Sequence, residues 1–317
     1  MSFSSNVKKE LANIECEECC LKAELYAIIK FKSNLKIGFN KLSVTISTTL
    51  NVVARRIVHL FKTVYDIKLD ITAYKQQKLD YKTIFELEVV DEALDILKDL
   101  QIMNEDGSFN DRLNYDLLKN DCCKASVVRG AFLVQGSIND PSKNNYHLEI
   151  TVLEEEDALF LLDLIKSVYI TPHIIKRKKG YVIYLKKSEQ IGDFLKFVGA
   201  INCLFEFEDN RIKKDYSNYL NRIINCDVAN EQKALANAEK QLDNIDYIRK
   251  YYGFVNLTPR LLDACVLRSE FPEYSLQQLS DESEETVGRY ISKSGLSHCY
   301  KDIEKLVEDL KRKKELS

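Results

Sequence analysis

The sequence has no tryptophan, only four histidines, no large surplus of either charge and no long hydrophobic run. Most of these absences remove a class of function. With 46 Lys and Arg against 49 Asp and Glu, the formal net charge is −3, so no protein-wide field draws in a polyanion and any nucleic-acid contact must come from a local patch. The apolar runs fall well short of the roughly 18 residues that a transmembrane helix needs. The polar start Met1-Ser2-Phe3-Ser4-Ser5-Asn6, followed by Lys8-Lys9-Glu10, does not read as a signal peptide, and no membrane partner is expected. Scarce histidine bears on metals. Cys16-x-x-Cys19-Cys20 is half of a zinc pattern, but the histidines are scattered and there is no second Cys-x-x-Cys. Thiols buried in a helix contact are expected, with no metal. The missing tryptophan, beside abundant Lys, Ile, Asn and Tyr, reads as base bias of a gene rather than a physical demand.

Cysteine is present nine times, an odd number: the vicinal pairs Cys19-Cys20 and Cys122-Cys123, then Cys16, Cys203, Cys226, Cys265 and Cys299. This is no secreted disulfide framework, and it predicts a reducing cytoplasm. A length of 317 residues with 45% hydrophobic and 30% charged side chains allows two globular domains, each with its own core.

Two stretches stand out. Residues 122–137 form an apolar run with small residues on one side, ending in Arg129-Gly130-Ala131-Phe132-Leu133-Val134-Gln135-Gly136-Ser137. Small residues let a second backbone come close. Residues 19–33 open with the same Cys-Cys pair and continue as a similar alanine-containing apolar helix, which suggests an internal duplication. The run from Arg129 to Ser137 resembles, in degenerate form, the signature helix of LAGLIDADG homing endonucleases. In active members two such helices pack side by side, and each ends in an acid that holds catalytic metal. The corresponding positions here, thirteen residues after Cys122 and Cys19, are Gln135 and Lys32. An amide and an ammonium supply none of the anionic oxygen ligands magnesium demands, so a nuclease scaffold without nuclease chemistry is expected.

The order of elements fits that plan twice. A short helix capped by Ser5 leads into the first signature helix. Strands follow around 35–39 and 42–46, joined at Asn40-Lys41, then a helix over 50–64, strands over 67–72 and 81–90, and a helix over 91–102. After the second signature helix come the loop 139–142, a strand over 148–152, a helix over 155–168, strands over 169–175 and 181–185, and a helix over 188–198. The tip Lys176-Arg177-Lys178-Lys179 between the last two strands is a candidate phosphate contact, although lysines also protect sheet edges. His147 and His173 read as ordinary strand positions. A long helical stretch over 210–252 follows. Within it, residues 221–233 resemble the interdomain region of the WhiA family of bacterial DNA-binding regulators. Arg222 and Lys233 are therefore possible secondary DNA contacts, against the reading of a solvated helix face.

Beyond Gly253, Thr258-Pro259 starts a helix, Ser275 caps a short one, a turn is expected around 281–285, and Leu296, Tyr300, Ile303, Leu306 and Leu310 line one face of the last helix. Ser294, Ser297, His298 and Lys301 are left on the other. This is the pattern of a helix-turn-helix, whose second helix enters the major groove. Ser-Lys-Ser-Gly at 292–295 resembles the WhiA recognition element, itself similar to region 4 of sigma factors. Ser292, Lys293, Ser294, Ser297, His298 and Lys301 are the expected DNA surface. The chain departs from the family at Cys299 and Asp302, and residues 258–317 hold ten Lys and Arg against twelve Asp and Glu. The acids Asp281, Glu282, Glu284 and Glu285 offer a protein partner an alternative surface.

The resemblance spans almost the whole chain. It implies an α+β fold: a duplicated αββαββα LAGLIDADG-like domain over 1–205 (repeats at about 15–110 and 118–205), a helical linker over 206–256 and an all-α helix-turn-helix domain over 257–317. The expected function is sequence-specific binding of double-stranded DNA by a transcriptional regulator linked to cell division, chromosome segregation or sporulation. Such a protein would be cytoplasmic and nucleoid-associated, without cofactor or enzymatic activity. Two rivals stand beside it. One is a metal-dependent nuclease using other acids such as Asp140 or Glu149; the other is a scaffold for a division or transcription factor.

Overall fold

The computed structural model describes residues 2–38, 41–75, 83–110, 114–118, 120–143 and 145–315. The chain divides into two compact units, Met1–Asp215 and Tyr216–Ser317. In the first, helix α1 (Phe3–Leu11) begins earlier than expected, because Ser2 rather than Ser5 is its cap, accepting from Ser5 N–H at 3.3 Å. Next come α2 (Glu18–Lys32), β1 (Asn34–Gly38), β2 (Lys41–Thr48), α3 (Asn51–Tyr65), β3 (Asp70–Lys75), β4 (Thr83–Val89) and α4 (Ala93–Asp99). Of the expected tip Asn40-Lys41, Asn40 lies outside the described residues, and Lys41 instead opens β2, paired with Gly38. A turn of 3-10 helix (Tyr115–Leu118) precedes the second half: α5 (Asp121–Gln135), β5 (Gly136–Ile138), β6 (Leu148–Val152), α6 (Glu155–Lys166), β7 (His173–Arg177), β8 (Gly180–Leu185) and α7 (Ser188–Val198).

The duplication is visible in the sheets. Both have four antiparallel strands, in the orders β1-β2-β4-β3 and β5-β6-β8-β7, so second, third and fourth strands pair identically in each half. Several strand limits differ from expectation for local reasons. Asp66 ends α3 in a left-handed conformation (φ 56°), and residues 67–69 connect rather than pair, which moves β3 to Asp70. Tyr169, at φ 63°, ends the α6 region in the same way. Pro172 then has no N–H for a ladder, so β7 starts at His173. The signature helix stops at Gln135, and Gly136 and Ser137 open the short strand β5.

The two signature helices cross at the centre of this unit. Both are buried along most of their length, and Gly130 lets their backbones touch: a Cβ there would lie 2.5 Å from the Glu24 carbonyl oxygen. Against it a charged cluster is sealed into the core. Arg56 of α3 grips both oxygens of Glu24 at 2.8 Å through Nε and Nη2, and its Nη1 donates to the Ile14 carbonyl at 2.9 Å. Arg129 of α5 reaches the same carboxylate at 3.4 Å and donates to the Val198 carbonyl at 2.9 Å. Burial opposes the Arg56 charge, but its bonds to Glu24 outweigh that and hold its pKa above the ordinary value.

Helix α8 (Ile201–Tyr251) begins nine residues before the stretch expected from sequence and runs through the boundary between the units. After a 3-10 turn (Phe254–Asn256) come α9 (Pro259–Glu270), with proline at its first turn, then α10 (Leu276–Asp281), α11 (Ser283–Val287) and α12 (Lys293–Glu315). Ser275 and Gln278 form a reciprocal capping box on α10. Where a turn was expected over 281–285, Ser283 opens α11 and its hydroxyl accepts from Ile291 N–H at 2.8 Å. The second core joins Ile245 and Ile248 of α8, Ala264, Cys265 and Leu267 of α9, Leu279, Ile291, and Leu296, Cys299, Tyr300, Ile303 and Val307 of α12. The last turns of α8 thus pack as part of the helix-turn-helix core.

Candidate nucleic-acid interface

Lys32 and Gln135 are the last residues of α2 and α5, the two helix ends at which a LAGLIDADG nuclease would place its acids. Gln135 is used structurally: its Nε2 donates to the Phe31 carbonyl at 3.0 Å, tying one helix end to the other. Lys8 of α1 adds a second cation, with Nζ 5.8 Å from the Phe132 ring centroid. Burial, and after it the neighbouring Lys32, pushes the Lys8 pKa down to about 8. Two ammonium groups therefore occupy the region where magnesium would need carboxylates. Between pH 8 and the unfolded value near 10.5, the unfolded chain binds a proton that folded Lys8 does not, so this group makes stability rise with pH. Lys8→Met is expected to raise the melting temperature at pH 7 and to flatten that rise, measured by thermal denaturation across the pH range.

The rival acids are occupied as well. Asp140 accepts from Ser142 N–H at 3.0 Å and from its hydroxyl at 2.6 Å. Glu149 is shared between His147 Nε2 at 3.1 Å and Arg177 Nη1 at 3.4 Å.

The helix-turn-helix face is arranged differently. Leu296, Cys299, Tyr300, Ile303 and Val307 pin α12 to the core, which turns Ser292, Lys293, Ser294, His298 and Lys301 outward, with Ser297 half-buried. Ser292 caps the start of this helix, accepting from Gly295 N–H at 3.2 Å, and its hydroxyl lies 3.1 Å from that of Ser294. Arg260 of α9 steadies the same turn, donating to the Gly295 carbonyl at 3.4 Å.

Beside this face lies a groove of about 450 Å3 wholly within the second unit, and it collects Lys293, Ser297 and Lys301 together with Lys233 of α8. Ser292, Ser294 and His298 lie outside its lining, as does the exposed Arg222. Asn237, Lys240 and Asn244, on the α8 side, were not singled out from sequence. Their signal was there to read: with Lys233 they recur at alternating spacings of three and four residues, one polar helix stripe. Lys240 is paired with Glu304 at 2.5 Å, which raises its pKa.

The basic tip belongs to the first unit. Arg177 pairs with Gly180 in the β7–β8 register, so Lys178 and Lys179 form a two-residue turn, with Gly180 at φ 118°. Lys176 lies over the Tyr181 ring at 5.3 Å, and a hydrogen bond to that hydroxyl raises its pKa. With Arg177 held by Glu149, Lys178 and Lys179 are the tip's outermost charges.

The four thiols of the vicinal pairs, read from sequence as unrelated to a metal, converge at the N-termini of α2 and α5. Cys20 and Cys123 are buried, as expected for a helix contact, whereas Cys19 and Cys122 are exposed. No helix among the described residues is long and apolar enough to cross a membrane.

Comparison with known proteins matches residues 18–103 to the WhiA N-terminal LAGLIDADG-like domain, residues 124–217 to the WhiA LAGLIDADG-like domain and residues 220–307 to the WhiA C-terminal HTH domain. A probable cell division protein WhiA of Bacillus cereus is 38% identical over 311 residues, covering 98% of both chains. One from Bacillus anthracis shows the same identity and coverage. The crystal structure of full-length WhiA from Thermatoga maritima aligns over 98% of this chain and 99% of that one, at 22% identity and a TM-score of 0.58, which supports the shared fold.

Proposed function

The chain belongs to the WhiA family, and from that premise we propose that it is a DNA-binding regulator without nuclease activity, whose reader is the α12 face. The role proposed for it is control of transcription in service of cell division, following the name of its relatives, with chromosome segregation or sporulation as the related processes. It would act on the nucleoid in the cytoplasm. The observation that carries this reading is the groove in which Lys293, Ser297 and Lys301 meet Lys233. Three cations and a hydroxyl beside the start of an exposed helix suit a phosphate strand, while Ser294 and His298 are free to reach base edges. The paired amide and ammonium at Gln135 and Lys32 support the absence of metal-assisted cleavage.

Binding of the full chain to mixed genomic DNA fragments across a salt series tests the assignment. Lys293→Glu with Lys301→Glu should lower affinity by at least about tenfold and make the salt dependence shallower by roughly two contacts. Lys178→Glu with Lys179→Glu should leave both nearly unchanged. The opposite pattern would move the reader to the β7–β8 tip. Supercoiled plasmid incubated with protein and magnesium should stay uncut; nicking would revive the nuclease reading.

A further inference from the structure

Cys19, Cys20, Cys122 and Cys123 stand at equivalent places in the two repeats, one vicinal pair at the first turn of each signature helix. Because those helices cross closely, the pairs are brought together, and all four sulfurs lie within 4.8 Å of one another. A tetrahedral tetrathiolate with metal–sulfur bonds near ~2.3 Å needs sulfur separations of roughly 3.8 Å, so modest side-chain rotation closes the cluster on an ion.

We infer that these four thiols form a metal site for a thiophilic divalent ion of the zinc type, clamping the two repeats at the helix ends opposite the abandoned nuclease centre. The ligand set is the argument. Four sulfurs and no oxygen or nitrogen donor select zinc over magnesium or calcium. The ligands come from two segments about a hundred residues apart, so one ion would join the halves of the duplicated domain. Neither Glu17 nor Asn120, the residues preceding the two helices, makes a side-chain capping bond. The positive ends of both helix dipoles are therefore left to offset the net negative charge of a tetrathiolate centre. Exposed Cys19 and Cys122 give the ion its way in, and buried Cys20 and Cys123 shield its inner side. Without metal, burial pushes the Cys20 thiol up to about 11 and raises Cys123 as well, whereas a hydrogen bond from Cys20 lowers Cys122. Metal binding therefore displaces thiol protons and strengthens as pH rises.

The position explains why the sequence pattern missed it. A zinc motif is sought as two close Cys-x-x-Cys units; here each half is a vicinal pair, and the halves meet only because their helices are duplicates packed side by side.

The test uses the full-length protein, reduced and stripped of metal under anaerobic conditions, titrated first with Co2+ and then with Zn2+. Expected are a sulfur-to-cobalt charge-transfer band saturating at one equivalent per chain, the visible bands of a tetrahedral centre, and bleaching of both by Zn2+. Cys19→Ser with Cys122→Ser alters only exposed thiols, so its fold should be kept; the charge-transfer band should be lost and affinity should fall at least tenfold. Cys226→Ser, remote in sequence on α8, should change nothing. Absence of the band in the reduced wild-type protein, or its survival in the Cys19/Cys122 variant, overturns the proposal. So does peptide mapping that finds cross-helix disulfides in a protein whose reduced form takes up no Co2+.

Discussion

Glu24→Gln is expected to destabilise the first unit by about 3–5 kcal/mol, the range for removing one partner of a buried ion pair, and calorimetry should show its transition falling by roughly 6–20 °C. The amide keeps the shape of the side chain but not its charge. Glu24 is fully buried, and the two guanidinium groups it faces, Arg56 and Arg129, are at most 8% exposed at the side chain. Each would be left in the core against neutral acceptors, a backbone carbonyl and the Cys16 sulfur. Replacing the whole cluster, Glu24→Leu with Arg56→Met and Arg129→Met, should recover most of the loss, since hydrophobic residues of similar volume often substitute for a buried ionic cluster without cost. If Glu24→Gln melts with the wild type, the carboxylate does not bind the three helices as its distances suggest. The triad is more informative than a count of apolar contacts because one side chain of α2 holds α3 and α5 in register, and with them both repeats.

Glu24 also marks the limit of what the sequence could disclose. The doubled helix-and-hairpin order, the signature helices and the outward face of α12 were legible, because periodicity and the small-residue run Arg129-Gly130-Ala131 report directly on burial and close approach. Lys32 and Gln135 could be placed at helix ends from the resemblance to the signature helix and from their equal spacing after each Cys-Cys pair. Glu24 and Arg56 carried no such sign: a charged residue in an amphipathic helix reads as surface until its partner is found on another element. Strand limits failed where single residues set them, at Asp66 and Tyr169, whose left-handed conformations have no distinctive side-chain signature. Asn237, Lys240 and Asn244 on the α8 side of the groove were missed for another reason. A stripe of Asn and Lys at helical spacing looks the same whether it faces water or a binding cleft, and only the packing of Ile245 and Ile248 into the second core tells which.

Arg268→Ala should be the most damaging single change in the second unit, costing on the order of 3–5 kcal/mol. Only 1% exposed, Arg268 pairs with no carboxylate among the described residues; burial lowers its pKa, yet an arginine stays charged there. Its fork is satisfied by neutral acceptors: Gln241 Oε1 of α8 at 3.0 Å, and the carbonyls of Phe271, Pro272 and Tyr274 at 3.3, 3.4 and 2.5 Å. The guanidinium also lies 5.6 Å from the Tyr300 ring centroid on α12. One side chain thus joins the groove's α8 wall, the turn leading into α10 and the helix carrying the proposed reader. Truncation leaves three carbonyls without their donor and opens a cavity under Tyr300. For a unit of this size the transition should fall by roughly 12–40 °C, while the first unit's transition stays in place. Arg268→Lys should restore little, because an ammonium cannot serve acceptors on several sides of a planar fork. DNA affinity measured below the lowered transition separates the two roles: near-normal binding there means that Arg268 acts through folding, whereas weak binding by a folded Arg268→Lys protein means that it sets the angle of α12 against α8.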